Sequence, residues 1–247
     1  MNETQQKIYT QAKGKWDAIA KPIDSLGVFE DMVARLCAIA GTVNPGDYKR
    51  RALLTLCADH GVVAEGVTQT DASVTAVIAG QIHRRRSSVC RMAAAAGAEV
   101  EPVDMGMLTR VDGVRGCHIA DGTKNIAAGP AMTHGETVRA IKYGMELVRE
   151  YRDRGFRLLA TGEMGIGNTT TSSAVAAALL HLPVEAVTGR GAGLSDAGLA
   201  RKQDAVRRAL QINHPDADDA LDVLAKLGGF DIAGMAGIFL GGALYRV

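Results

Sequence analysis

Two helical periodicities open the chain. Residues 3–20 (ETQQKIYTQAKGKWDAIA) and 27–41 (GVFEDMVARLCAIAG) carry apolar positions three and four apart, predicting two helices joined by the turn KPIDSLG. After NPGDYKRR the pattern changes. Residues 52–58 (ALLTLCA) form a continuous apolar run of strand length, as expected of a strand covered on both faces. Alanine-rich helical stretches such as SSVCRMAAAAGA then alternate with short strands expected at 99–104 (EVEPVD), 156–161 (FRLLAT) and 184–188 (VEAVT). The alternation predicts an α/β fold: a parallel, Rossmann-like sheet with right-handed crossovers, wrapped by helices and preceded by a small N-terminal helical subdomain. The expected division is 1–45 for the helical segment and 46–247 for the α/β nucleotide-binding domain.

In an open parallel sheet, ligands bind outside the carboxyl ends of the strands. The expected strands run into DHGVVAEG, DMGM, GEMGIGNTTTSS and GRGAGLSD, each with glycine and a polar or charged residue, which is the layout of one shared site. In the third loop, Gly162, Gly165 and Gly167 let main-chain N–H groups approach a ligand. Asn168, Thr169, Thr170, Thr171, Ser172 and Ser173 then lead into an expected helix, TSSAVAAALL, whose N-terminus favours an anion. The local pattern fits a phosphate cradle and a hydroxyl-capped tight turn equally well. It is not a Walker loop, because no Gly-Lys-Ser/Thr follows. Glu163 beside such a nest is unfavourable unless it accepts hydrogen bonds from a sugar or a base. Lys202, beyond the second glycine loop with Gly191, Ala192 and Gly193, joins the cradle only if the fold returns it to Gly165; otherwise it is a solvated lysine among Arg201, Arg207 and Arg208.

Composition narrows the classes. With 28 Lys+Arg against 27 Asp+Glu, nothing directs the chain to nucleic acid or to an anionic membrane. The N-terminus has no signal-peptide core, and 232–245 (IAGMAGIFLGGALY), the longest apolar candidate, is too short to span a bilayer. Cys37, Cys57, Cys90 and Cys117 show no CxxC spacing and read as reduced, buried thiols of a cytoplasmic protein. Asp59 and His60 at the first strand end invite a metal or acid–base role, with a loop anchor as the plainer reading. Asp216, Asp218, Asp219 and Asp222 lack the sixth-position glycine and terminal glutamate of a calcium loop, and read instead as first-turn acids of a helix. The basic run HRRRSS (83–88) reads as a solvated face. Neither a metal nor a cofactor is expected.

The order KPIDSLG, CADHGVVAEGV, GAEVEPVDMGM, GTKNIAAGPAM, GEMGIGNTT, GRGAGL and GGFDIAGMAG, from Trp16 to Tyr245, resembles the nicotinate-nucleotide:dimethylbenzimidazole phosphoribosyltransferase family. The resemblance implies transfer of phosphoribosyl from nicotinate mononucleotide to 5,6-dimethylbenzimidazole or a related azole, with inversion at the anomeric carbon. The products are α-ribazole 5'-phosphate, for the cobalamin lower ligand, and nicotinate. It also implies a small helical domain made from both chain ends, and a homodimer. By motif position, Glu163, Gly165, Gly167, Asn168, Thr169 and Thr170, with Gly191 and Lys202, would line the ribose-phosphate site.

Two departures carry expectations of their own. Family members are longer, and the carboxylate regarded as their base lies in a C-terminal LGEG motif with no counterpart in these 247 residues. The catalytic base is therefore unassigned, with Glu163 the one candidate in the loops, and the chain is expected to represent a C-terminally truncated enzyme that binds nucleotide better than it turns it over. The azole pocket, where the family tends to have Ser-Pro and then glutamine, would here be formed by Asp59, Thr70 and Ile78, with Asp71 nearby. A second reading is a non-catalytic nucleotide-binding or partner subunit with a companion chain, since a sheet lacking strands exposes an edge. A nicotinamide-dependent dehydrogenase would need GxGxxG directly after the first strand, which ADHGVVAEG does not supply.

Overall fold

The computed structural model describes every residue of the chain except Pro45 and Asp47. The chain divides into two compact units, Met1–Lys49 and Arg50–Tyr245.

The first unit is a helical pair, α1 (Glu3–Asp17) and α2 (Val28–Ala40). A capping box starts α1: Asn2 Oδ1 accepts from Gln5 N at 2.9 Å, and Asn2 N donates to Gln5 Oε1 at 3.0 Å. Its small core joins Ala12, Ala34 and Cys37 with Ile8, Tyr9 and Val33. Glu30 is fully buried within the unit and is matched by Lys21 at 2.7 Å and by the Leu26 N–H at 3.1 Å. Both helices fall where the apolar periodicity placed them.

The second unit is a four-stranded parallel sheet in the order β3-β2-β1-β4: β1 (Arg51–Ala58), β2 (Glu99–Gly106), β3 (Arg115–Gly116) and β4 (Leu158–Met164). The run 52–58 is the central strand, which accounts for its unbroken apolar character. Helices connect and cover the sheet: α3 (Ser73–His83) and α4 (Ser88–Ala95) before β2, and α5 (His134–Asp153) before β4. After β4 come α6 (Asn168–Leu180), α7 (Val184–Val187), α8 (Asp196–Asn213), α9 (Ala220–Leu227) and α10 (Phe230–Tyr245).

Successive residues of β1 face opposite sides, so the two halves of the core can be read from it. Leu54 and Leu56 pack with Met105, Phe230, Ala233 and Ile238, under α10. Leu53 packs with Ile78, Ile82, Cys90 and Val100, under α3 and α4. The interlock of α5 with α10 is close enough that a Cβ on Gly237 would run into the Ile141 carbonyl, and one on Gly144 into that of Gly234.

One expected strand is corrected. Residues 184–188 (VEAVT) contribute no strand: Val184–Val187 form the short helix α7 directly after Pro183. The run is short, and only its flanking proline distinguishes a helical turn from a strand. The strand expected at 156–161 is shifted to Leu158–Met164, because pairing with β1 runs from Arg51↔Leu158 to Cys57↔Met164. Phe156 is instead buried outside the strand, edge-on to Tyr151.

Candidate functional site

Because the strands are parallel, their carboxyl ends lie on one side of the sheet. Asp59 and His60 follow β1, Asp104 lies near the end of β2, and Glu163 is the penultimate residue of β4. Asp59 is an anchor: its Oδ2 accepts from Leu108 N at 2.8 Å and its carbonyl accepts from Thr123 N at 2.9 Å. Asp104 holds the neighbouring loop in the same manner, through Met107 N at 2.8 Å and His118 Nδ1 at 3.1 Å.

The third loop folds as a tight turn into α6, capped by Gly167 at φ 98°, a left-handed conformation that glycine adopts without strain. Several of its N–H groups already have partners. Ile166 N donates to Thr75 Oγ1 at 3.1 Å, Asn168 N to the Gly165 carbonyl at 3.1 Å, and Thr169 N to Asn168 Oδ1 at 2.7 Å. The helix dipole still points its positive end at this turn.

Positive charge is brought in from α8. Lys202 is 1% exposed, and its Nζ donates to Thr169 Oγ1 at 2.7 Å. The fold thus returns Lys202 to the Gly165 loop across 33 residues. Gly191, at φ 54°, completes the enclosure; a Cβ there would lie 3.1 Å from Thr169 Oγ1 and 3.4 Å from Lys202 Nζ. No carboxylate pairs with Lys202 among the described residues, and burial alone pushes its pKa down. The resulting cavity, about 270 Å³, is bounded by the 165–169 turn, the 190–194 loop, Lys202 and the segment from Val67 to Thr70. Gln69 reaches across it to donate to the Gly193 carbonyl.

Glu163 stands beside this cavity and is hydrogen-bonded by the Asn168 side chain. Burial raises its pKa above the usual carboxylate range; the Asn168 bond pulls the other way, the Asp231 charge adds to the rise, and His60 opposes it.

Of the residues singled out in the sequence, Gly165, Gly167, Asn168, Thr169, Gly191, Lys202 and Thr70 therefore line one cavity, with Glu163 adjoining it. Thr170 is buried behind them in the first turn of α6. Asp59 and Ile78 do not share the cavity: Asp59 holds the 108 and 123 backbones, and Ile78 packs on the α3 side of the sheet with Ile82 and Cys90. Asp71 accepts from Ser73 N at 2.8 Å and starts α3. Of the acids after Pro215, Asp219 is the N-cap of α9, accepting from Leu221 N and Asp222 N, and Asp222 lies in its first turn, whereas Asp216 and Asp218 precede the helix; among the described residues no group of His, Cys, Asp and Glu is arranged to hold a metal. The four cysteines are buried free thiols. Arg84, Arg85 and Arg86 are exposed, just past the end of α3.

Sequence reasoning missed Asp231. It is fully buried at the start of α10, and its Oδ2 meets His60 Nε2 at 3.1 Å. The available signal was an acid directly after GGF at a helix start. A larger cavity, about 540 Å³, lies between the 124–134 loop and α9 and contains none of the glycine-loop residues. The strand-end cavity is the stronger candidate because it joins a buried ammonium to a helix N-terminus.

The chain is similar over its whole length to one family of proteins. The DBI_PRT family model, described as phosphoribosyltransferase, matches residues 1–247. A nicotinate-nucleotide–dimethylbenzimidazole phosphoribosyltransferase of Clostridium acetobutylicum is 39% identical over 249 residues, covering 100% of this chain and 70% of that protein. The protein of the same name from Acetivibrio thermocellus is 43% identical over 233 residues, covering 94% of this chain and 66% of its own length. Among solved structures, CobT from Thermus thermophilus superposes with a TM-score of 0.89 at 41% identity, covering 96% of this chain and 71% of that one.

Proposed function

Because the chain belongs to the nicotinate-nucleotide–dimethylbenzimidazole phosphoribosyltransferase family, we propose that its strand-end cavity binds the phosphoribosyl end of nicotinate mononucleotide for transfer to a benzimidazole-type base. The observation that carries this reading is the buried Lys202 ammonium against Thr169 at the α6 N-terminus. An ammonium in that position has no carboxylate counter-ion among the described residues, and a phosphate supplies one.

In the reaction, an azole nitrogen lone pair forms a bond to the anomeric carbon as the bond to nicotinate breaks. The bonding pair leaves on the pyridine nitrogen, giving nicotinate. The azole loses its N–H proton, and the anomeric configuration inverts. Lys202, Thr169 and the α6 dipole hold the phosphate, which orients the ribose toward the strand ends. Glu163 is assigned the proton: a carboxylate whose proton affinity is raised by burial is closer to an azole in proton affinity than an exposed one is. Thr70, which lines the same cavity, is assigned to the base.

Incubating the protein with nicotinate mononucleotide and dimethylbenzimidazole, and following nicotinate release, tests the reading. Glu163→Gln is expected to lower turnover by about 100-fold or more, with the nucleotide dissociation constant changed much less. Unchanged turnover in this variant would remove Glu163 from the chemistry, and failure to bind nicotinate mononucleotide would remove the assignment of the cavity.

No helix among the described residues is long and apolar enough to cross a membrane, and we place the protein in the cytoplasm as a homodimer, an arrangement supported by the buried reduced thiols and by the apolar side chains left on the surface.

A further inference from the structure

Behind the cradle runs the segment that follows β1, which turns through a short 3-10 helix, Gly61–Glu65. It abuts the turn after β4 so closely that a Cβ on Gly167 would lie 3.1 Å from both His60 Cβ and Val63 Cγ2. Its last residue is Glu65, and each oxygen of that carboxylate is committed to a different part of the chain. Oε1 accepts from Asn125 Nδ2 at 2.6 Å, and Oε2 accepts from Arg208 Nη2 at 2.7 Å.

Arg208 belongs to α8, the helix that carries Lys202. The core face of α8 is made by Ala205, Val206 and Ala209. Contacts of such small apolar groups are non-directional and tolerate a shift along the helix axis. Hydrogen bonds do not. Arg201 and Arg208, seven residues apart, share one stripe of α8 beside that face. Arg201 Nε donates to the Gly66 carbonyl at 3.4 Å, and Arg208 donates to Glu65, so this stripe is fastened to the end of the 61–65 turn. Asp204 Oδ2 accepts from Arg208 Nε at 3.0 Å and keeps the guanidinium aimed. Asn213 pins the far end of the helix, donating to the Ile126 carbonyl at 2.8 Å.

We propose that Glu65 is a positioning residue for nucleotide binding: by bridging α8 to the segment behind the cradle turn, it holds the helix at the height and rotation from which the Lys202 ammonium meets Thr169 and the phosphate. The inference rests on the reading of Lys202 as the phosphate ligand.

The tolerance is narrow. Lys202 Nζ lies 2.7 Å from Thr169 Oγ1, and a slide of α8 by about 1 Å takes such a contact out of hydrogen-bond range. The Glu65 and Arg208 side chains are 22% and 39% exposed, so their ion pair adds little to global stability. What it supplies is register between α8 and the turn, and the effect of losing it belongs to binding more than to folding.

The test is a double-mutant cycle on the full chain, with the dissociation constant of nicotinate mononucleotide read by calorimetric titration and Tm by melting. Glu65→Gln keeps the size of the side chain but cannot accept at both ends. It is expected to weaken binding by about fivefold or more while lowering Tm by less than about 4 °C. Arg208→Met cuts the same bond from α8 and is expected to weaken binding to the same extent. In a Lys202→Met background, Glu65→Gln is expected to add less than about a twofold loss, since the group it positions is gone. In turnover the loss is expected in KM for nicotinate mononucleotide, with kcat nearly unchanged. A loss of equal size in both backgrounds marks a merely structural role and overturns the proposal. So does native-like binding by folded Glu65→Gln where Lys202→Met binds weakly. If Glu65→Gln does not fold, Arg208→Met, at a partly exposed side chain, decides by the same comparison. Lys202→Met that binds as tightly as the native protein removes the phosphate reading of Lys202 itself, an outcome distinct from either of those.

Discussion

Burying an ammonium without a carboxylate costs on the order of several kcal/mol, and Lys202 recovers only part of that through the Thr169 hydroxyl. Lys202→Met, which retains the apolar stem, is therefore expected to stabilise the ligand-free protein by about 1 kcal/mol, raising Tm by about 2–4 °C. The same variant is expected to weaken nicotinate mononucleotide binding by about tenfold or more. Calorimetric melting and titration read the two effects, and a loss of Tm would contradict the first. The sign with pH follows from the lowered pKa of Lys202. The unfolded chain binds the proton more tightly, so native stability increases as pH climbs from the folded-state pKa to the ordinary ammonium value. Lys202→Met should lack that increase.

At this scale, Glu163, Gly165, Gly167 and Asn168 were legible because strand, glycine turn and hydroxyl-rich helix start are contiguous in sequence. Lys202 was legible only as a conditional, since its partner lies 33 residues away. Asp231 was not legible at all as a partner of His60, because 171 residues separate them and neither one's neighbours announce the other.

Between elements, the closest packing is that of α5 on α10, made by glycines that admit the facing backbone. Gly237→Ala would press a methyl group onto the Ile141 carbonyl and is expected to cost about 1–3 kcal/mol. Gly129→Ala, where nothing lies within 4 Å of the added Cβ, serves as the control and is expected to leave Tm nearly unchanged. Equal melting temperatures for the two variants would refute the interlock. The helices with clear periodicity and the central strand were readable, because their apolar spacing is dictated by what covers them. The run VEAVT was not: five residues, three of them β-branched, suit either state, and only Pro183 before them points to a helical turn. The end of β4 was set by its partner β1, which extends the ladder through Glu163 and Met164 into residues that read as loop.

For the molecule as a whole, the sheet order places β4 at an edge, with Leu158 42% exposed. An exposed edge strand, and exposed apolar residues grouped on one helix such as Phe239, Leu240 and Leu244 of α10, favour association with another chain. Sedimentation at micromolar concentration is therefore expected to give a species larger than the 25.9 kDa chain, and a monodisperse monomer would contradict the proposed homodimer. Near-neutral composition had already pointed away from nucleic acid, but nothing in it reveals what an edge strand meets.

The central position of β1 also has a consequence for the order in which the protein is made. Leu56 leaves the ribosome early, yet the residues that bury it, Phe230 and Gly234 of α10, follow only after nearly all of the second unit has been translated. At ordinary elongation rates that interval is on the order of ten seconds. The nascent chain thus carries its most apolar strand half-dressed for most of its synthesis, and holdase chaperones have their longest opportunity at residues 52–58.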